Sequence, residues 1–302
     1  MRCTTTVLHL DNKKLLHTID QSIILMIEVK NLEYRYSMVR SLFQDLSLTI
    51  EPGHISGLLG KNGEGKTTLL KLMAGQLIRK GGTLSVAGQD PTKRQVSFLS
   101  DVYYLPETVN VPKGVSIRRY FDALTPFYPK YSREIADEAL EVFDLDYNMK
   151  ITKLSQGQQK KAMIAFALSL GTRVLLLDEP TNGLDIPSKS ALRRLLARQI
   201  TEDRYVIIST HQVRDLEQII DHVVVMDKNR VILSKSIGEI TDRLTFRPVM
   251  AGDTPIYSEQ TIGSKMGIFA KEEGDENDAY STELFFNALM EHQIDILHHL
   301  NK

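Results

Sequence analysis

Eight consecutive residues, Gly60-Lys61-Asn62-Gly63-Glu64-Gly65-Lys66-Thr67, match G-x-x-x-x-G-K-[ST] at every fixed position. That pattern binds a nucleoside triphosphate. Its glycines let the backbone curl so that successive N–H groups point at phosphate oxygens, its lysine reaches the β- and γ-phosphates, and its hydroxyl ligates Mg²⁺. Gly60, Asn62, Gly63, Gly65, Lys66, Thr67 and the following Thr68 are therefore the candidate phosphate contacts, with Thr67 also a metal ligand. Residues 55–59 are an apolar run, which predicts a strand leading into the loop. Residues 67–74 place Leu69, Leu70, Leu72 and Met73 at helical spacing among good helix formers. The start of that helix then faces the phosphates with the positive end of its dipole.

A second apolar run, residues 174–177, ends in Asp178-Glu179-Pro180. It does not alternate, which suits a parallel strand buried on both faces. Ligands of open α/β sheets bind beyond the carboxyl ends of the strands, so both carboxylates are expected in the crevice of the phosphate loop. Asp178 then joins Thr67 on Mg²⁺, and Glu179 polarises the water that attacks the γ-phosphate. A third strand, residues 205–210, ends at His211 on the same edge. A histidine there either bonds the γ-phosphate and the attacking water or satisfies a structural contact. Between the last two strands and the loop lies Leu154-Ser155-Gln156-Gly157-Gln158, followed by an apolar helical stretch over residues 162–170. Ser155 reads as a helix N-cap. Its hydroxyl and the amides near Gly157 form either an ordinary capped helix or an anion site for a neighbour's nucleotide, since this chain already has a phosphate loop of its own.

The order of residues 60–67, then 154–158, then Asp178-Glu179, then Asn182-Gly183-Leu184-Asp185, then His211 resembles the ATP-binding cassette (ABC) ATPases, specifically the nucleotide-binding subunits of ABC transporters. The resemblance runs over about residues 26–240. It implies that Lys66, Glu179 and His211 are catalytic, with Glu179 the base and His211 the switch histidine. It implies that Ser155, Gly157 and Gln158 contact ATP held by the opposite protomer, that Asp185 lies at the dimer interface, and that Tyr36 stacks on adenine. Residues 87–91 and Tyr104-Leu105-Pro106-Glu107 look most like single-domain ATPases paired with export-type permeases. Two positions depart from the family's usual pattern: Gln156 stands where glycine is commonest, and Glu107 where a glutamine is usually offered to Mg²⁺. A carboxylate is the harder ligand, so Glu107 joins Thr67 and Asp178 as an expected metal ligand and as a contact to the nucleotide. Its added negative charge is expected to slow hydrolysis or make it more dependent on Mg²⁺.

These residues require an α/β phosphate-loop core to position them. An inserted helical subdomain is expected at about 108–158, where Ile117, Tyr120, Phe121 and Leu124, then Ile135, Ala139, Leu140 and Phe143, recur at helical spacing around Pro126 and Pro129. Residues 223–226 and 231–233 read as a closing hairpin around Lys228-Asn229. Residues 26–240 then form the ATPase domain, beginning with a strand at Met26-Ile27-Glu28-Val29. Residues 1–25 form a loose extension ahead of a native start at Met26, or else a short added helix. Residues 241–302 form a small α+β appendage: one or two strands within 255–271, an acidic stretch over 271–278, and a helix capped by Ser281 that carries Leu284, Phe285, Ala288 and Leu289. Packing against the core is its expected role, with regulation or partner docking the alternative.

Of the 302 residues 42% are hydrophobic and 25% charged, and the formal net charge of -1 offers no broad basic face for nucleic acid. The single cysteine, Cys3, excludes an intrachain disulfide framework and a cysteine-based metal site. No apolar run approaches the roughly 18 residues of a membrane span. The resemblance accordingly implies ATP and Mg²⁺ as cofactors and a homodimer of cassettes, cytoplasmic and peripheral on the inner face of the cell membrane beneath integral permease subunits. Ribosome-acting ABC proteins usually join two cassettes in one chain. Chromosome-maintenance ATPases separate loop and signature by a long coiled coil. Neither pattern is present, and the intact Glu179 and His211 disfavour a cassette that binds ATP without hydrolysing it.

Overall fold

The structure is a computed structural model that describes residues 26–37, 41–261, 263–272 and 280–301. The extension expected over residues 1–25 and residues 273–278 of the acidic stretch lie outside the described residues. In chain order the elements are β1 (Ile27–Arg35), β2 (Ser41–Ile50), β3 (His54–Gly60), α1 (Lys66–Met73), β4 (Gly81–Ser85), α2 (Val96–Leu99), β5 (Val102–Leu105), α3 (Ile117–Leu124) and α4 (Arg133–Val142). They continue with α5 (Gln156–Ser169), β6 (Val174–Asp178), α6 (Ile186–Ala197), β7 (Tyr205–Thr210), β8 (His222–Asp227), β9 (Arg230–Ser236) and α7 (Ile237–Thr241). Last come β10 (Leu244–Pro248), β11 (Tyr257–Gln260), β12 (Lys265–Ala270), α8 (Thr282–Glu291) and α9 (Gln293–Leu300).

The central sheet has the order β5-β6-β7-β3-β8-β9. All its neighbours pair in parallel except β8 and β9, which form the expected hairpin around Lys228 and Asn229, both at left-handed φ. Every residue of β6 and β7 is buried. Period-two alternation divides them between two cores. Leu175, Leu177, Val206 and Ile208 face one, and Val174, Leu176, Tyr205 and Ile207 the other. The second core is closed by α1 and the antiparallel sheet β2-β1-β4, through Leu69, Met73, Ile27 and Phe43.

The first core takes α5, whose residues from Ala162 to Ser169 are all buried. Phe166 anchors the helical insertion to it: its ring lies 4.9 Å from Phe121, 5.4 Å from Tyr120, 5.7 Å from Tyr103 and 6.4 Å from Tyr128. Ser116 caps α3 and Ser132 caps α4 by accepting the Arg119 and Ile135 amides. The insertion thus hangs from the helix that begins with the Ser155 segment.

The C-terminal elements form an antiparallel sheet β10-β12-β11 with two helices, and Ser281 caps α8 through the Leu284 amide. Strand β10 was not expected, although Leu244 and Phe246 alternate with polar neighbours. The loss of family resemblance after residue 241 left so short an alternation without a frame. This region packs on the preceding elements: Phe246, Phe285, Ala288 and Leu289 belong to the same buried cluster as Leu216 and Ile220. The Thr282 amide donates to Glu217 Oε1 at 2.5 Å and Arg214 pairs with Glu283 across the same seam.

Phe285 is fully buried at this junction. Phe285→Ala is expected to cost about 3–5 kcal/mol, read as a lowered urea midpoint of one cooperative transition. An early, separate transition of the C-terminal region with an unmoved main midpoint would show instead that the junction carries no coupling.

Candidate active site

The parallel registers β6–β7 and β7–β3 pair Asp178 with Ser209 and Leu59 with Thr210, so three strand ends stop side by side. Beyond them lies a cleft of about 370 Å³ lined by Tyr36, Leu42, Asn62, Gly63, Gly65, Lys66, Thr67, Thr68, Glu107 and Glu179. The loop curls into it with Gly63 and Gly65 at φ 91° and 96°. A Cβ on Gly65 would also meet the Phe43 ring at 2.7 Å, so glycine is required there on two counts. Helix α1 starts at Lys66 with no side-chain cap, leaving its first amides available for an anion. The tip of the β8–β9 hairpin braces the loop: the Asn229 amide donates to Glu64 Oε2 at 2.7 Å and Asn229 Nδ2 to the Gly63 carbonyl at 3.3 Å.

Lys66 is buried, and its Nζ donates to the Gly60 and Lys61 carbonyls at 2.6 and 3.2 Å. Burial pushes its pKa down, while the charges of Glu179, Asp178, Glu64 and Glu107 oppose that shift. Tyr36 is largely exposed, and its hydroxyl bonds the Thr68 hydroxyl at 2.9 Å. Its ring stands edge-on to Tyr34, 5.0 Å away.

Asp178 is buried and doubly held: Ser209 Oγ donates to Oδ1 at 2.5 Å and Tyr104 Oη to Oδ2 at 2.9 Å. Burial and the facing carboxylate raise the Tyr104 pKa far above that of free tyrosine, so the hydroxyl stays a donor. Glu179 turns the chain with φ at 47°, a left-handed conformation that costs a residue with a Cβ about 1–3 kcal/mol. Neighbouring groups hold it there. Its amide lies 3.1 Å from the Ser209 carbonyl and 3.2 Å from Ser209 Oγ, and its carbonyl accepts from Lys160 Nζ at 2.5 Å. Its carboxylate Oε1 contacts His211 Nδ1 at 2.8 Å, whereas the buried Oε2 has no hydrogen-bond partner. On the cleft wall Glu107 Oε1 accepts from Asn182 Nδ2 at 2.8 Å.

Ser155, Gly157, Gln158 and Asp185 are not among the residues lining this cleft. Ser155 Oγ accepts the Gln158 amide at 3.2 Å and Gln158 Oε1 accepts the Ser155 amide at 3.0 Å, a reciprocal box that starts α5. A Cβ on Gly157 would lie 2.8 Å from the Gly183 carbonyl, so that glycine lets α5 touch the turn after β6. Asp185 caps α6 through the Ser188 amide at 2.8 Å and meets Lys161 Nζ at 3.2 Å. These contacts, the bonds to Ser188 foremost, lower its pKa to about 2.

Sequence reasoning assigned no role to Ser209, Tyr104, Asn182 or Lys160. Ser209 and Tyr104 lay inside apolar runs where a single hydroxyl signals nothing by itself. Pairing each strand end with its neighbour exposes Ser209 as the partner of Asp178, so that signal was within reach. Lys160 is buried, and the sequence around it carries no signal of that.

Residues 43–182 match the family described as ABC transporter. Over 234 residues the chain is 27% identical to the ABC transporter ATP-binding protein YtrB of Bacillus subtilis, covering 76% of this chain and 80% of YtrB. The chain is an ABC ATP-binding protein. It is also 33% identical over 228 residues to the sulfate/thiosulfate import ATP-binding protein CysA of Bordetella pertussis, covering 72% of this chain but only 64% of CysA. A solved structure described as the ATP-binding subunit of an ABC transporter shares the fold, with a TM-score of 0.65 at 23% identity over 72% of this chain and 92% of that one. ABC proteins of this class bind and hydrolyse ATP, and the cassette described above has the α/β phosphate-loop core of the family. Among the described residues, no helix of this ABC protein is long and apolar enough to cross a membrane.

The two hydroxyls on Asp178 provide a direct test. Ser209→Ala leaves a buried carboxylate oxygen and the Glu179 amide each one contact short, which is expected to cost about 1–3 kcal/mol of stability. ATP turnover should fall more than ATP affinity, since the loop at residues 60–67 is untouched. Equal losses in both, measured by steady-state hydrolysis and nucleotide titration, would place Ser209 in binding instead.

Proposed function

We propose that this cassette powers transport through a separate membrane permease, and that Glu179 activates the water in a site shared by two copies of the chain. The observation that carries the reading is the pairing of the phosphate-loop cleft with Glu179, whose one oxygen is held by His211 and whose other is buried without a partner. An acceptor kept dry and unpaired beside a phosphate loop is what a water-activating base requires.

Lys66 and the amides of residues 62–68 bind the β- and γ-phosphates, and the exposed Tyr36 ring supports the base. Mg²⁺ would be held by Thr67, Asp178 and Glu107. These are hard oxygen donors, and Mg²⁺ is ordinarily bound by one or two carboxylates together with substrate phosphates. When bound, the ion neutralises charge on the β- and γ-oxygens. Ser209 and Tyr104 fix Asp178 by donating to both its oxygens. Glu179 Oε2 takes the proton of the attacking water, and His211 fixes the carboxylate from its other side and reaches toward the γ-phosphate.

The homodimer is supported by the position of the Ser155–Gly157 amides at the exposed start of α5, outside the cleft of their own chain. They complete the ATP site of the opposite protomer, so ATP closes the dimer and hydrolysis reopens it. A permease partner, and with it a cytoplasmic place at the inner face of the membrane, is supported by the likeness to YtrB, an ABC transporter ATP-binding protein, and to CysA, a sulfate/thiosulfate import ATP-binding protein.

Glu179→Gln should bind ATP normally, turn over almost none of it and accumulate as an ATP-dependent dimer in gel filtration; near wild-type turnover would refute the base. The shared site is tested by mixing. Ser155→Arg and Lys66→Ala should each be inactive, yet their mixed dimer contains one site with both defects and one with neither. Partial return of activity on mixing supports the shared site. Loss of nucleotide binding by isolated Ser155→Arg chains would place the signature in the chain's own site instead.

A further inference from the structure

Three residues on one face of the first turns of α5 touch the segment that begins at Glu179. Gly157 abuts the Gly183 carbonyl, Lys160 Nζ donates to the Glu179 carbonyl at 2.5 Å, and Lys161 Nζ meets Asp185 Oδ2 at 3.2 Å. The spacings of three and four residues put them in line along the helix. Lys160 is the buried member. It lines a cavity of about 520 Å³ together with Glu107, Gly157, Asn182 and Gly183. Glu107, Glu179 and Asp178 all favour its charged form against the pull of burial.

An ammonium buried on a neutral carbonyl is a costly way to fill space, and an apolar side chain of the same volume would do so more cheaply. What the lysine adds is direction. The carbonyl it grips belongs to the residue with φ at 47°, which also receives the Asn182 amide at 3.3 Å. A left-handed turn at Glu179 aims its side chain at His211 and the cleft, and the carbonyl is the handle by which that turn is held.

We propose that Lys160 is a positioning residue for Glu179, joining the start of α5 to the backbone that orients the water-activating carboxylate. A shift of α5 when its amides meet the partner's ATP is thereby passed to the chain's own Glu179, so each site of the dimer is tuned by engagement of the other. This rests on the proposed role of Glu179 in activating water.

The test uses Lys160→Met, which keeps the length of the stem and removes the donor. It is expected to retain the fold and the KM for ATP while kcat falls about tenfold to a hundredfold, the scale of a small misplacement of a reacting group. In a Glu179→Gln background the same change should lower the residual single-turnover rate no further, because the group it positions is already gone. A wild-type kcat, a parallel rise in KM, or the full loss repeated on top of Glu179→Gln would overturn the proposal. Should Lys160→Met fail to fold, Lys160→Gln keeps a donor one atom short and is expected to lose kcat at unchanged KM; a wild-type kcat there also overturns it. Wild-type turnover in Glu179→Gln itself would instead remove the base assignment beneath it.

Discussion

The parallel register of β3, β7 and β6 is the constraint on which the site depends. With Asp178 opposite Ser209 and Leu59 opposite Thr210, the loop, the carboxylates and His211 leave the sheet at one edge. A slip of one residue in either pair would turn every side chain of that strand to the opposite face. Two separate cores prevent it. Leu175 and Leu177 are claimed by the α5 side and Val174 and Leu176 by the α1 side, so a slide of β6 by one residue would exchange the two sets. Chemistry at the edge is thus secured by apolar packing through the middle of the sheet.

At that edge polar bonds replace packing. Asp178 and Glu179 are adjacent in sequence yet are treated oppositely. Asp178 continues the strand with both oxygens occupied by hydroxyl donors, while Glu179 breaks from it at positive φ with one oxygen unpaired. Ser209 serves both, through Oγ to the Asp178 carboxylate and to the Glu179 amide. The division follows from the tasks proposed for the two residues: a metal ligand gains from being fixed, and a base gains from an acceptor with nothing else to accept.

Much of this was legible in the chain because the signals were local. The loop of residues 60–67 has a fixed spacing, β6 and β7 are apolar runs, and Ser155 stands as an N-cap just ahead of an apolar helical stretch. Tertiary contacts were not legible. Nothing near Lys160 marks it as buried, since its surroundings come from Glu179, nineteen residues further on in sequence. Tyr104 meets Asp178 across a separation of 74 residues. Strand β10 was missed because its five residues pair with β12, which follows β11 in the chain. The C-terminal helices were half legible: Ser281 announces α8, but the Glu217 carboxylate that fixes its first turn belongs to another region of the chain.

Glu107 shows how a departure from the family's usual pattern acts through its surroundings. Its Oε1 accepts from Asn182, a bond that an amide oxygen at the same place would also make, so the carboxylate is not explained by that contact. The remaining difference is charge. Lys66 and Lys160 are both buried, and Glu107 adds to Asp178 and Glu179 in holding each of them protonated. With glutamine there, Lys160 would face two carboxylates and Lys66 three; with Glu107 they face three and four. The added negative charge strengthens the case for a bound cation and works against the triphosphate alone. Dependence on Mg²⁺ should therefore be steeper than in a cassette that carries an amide at this position.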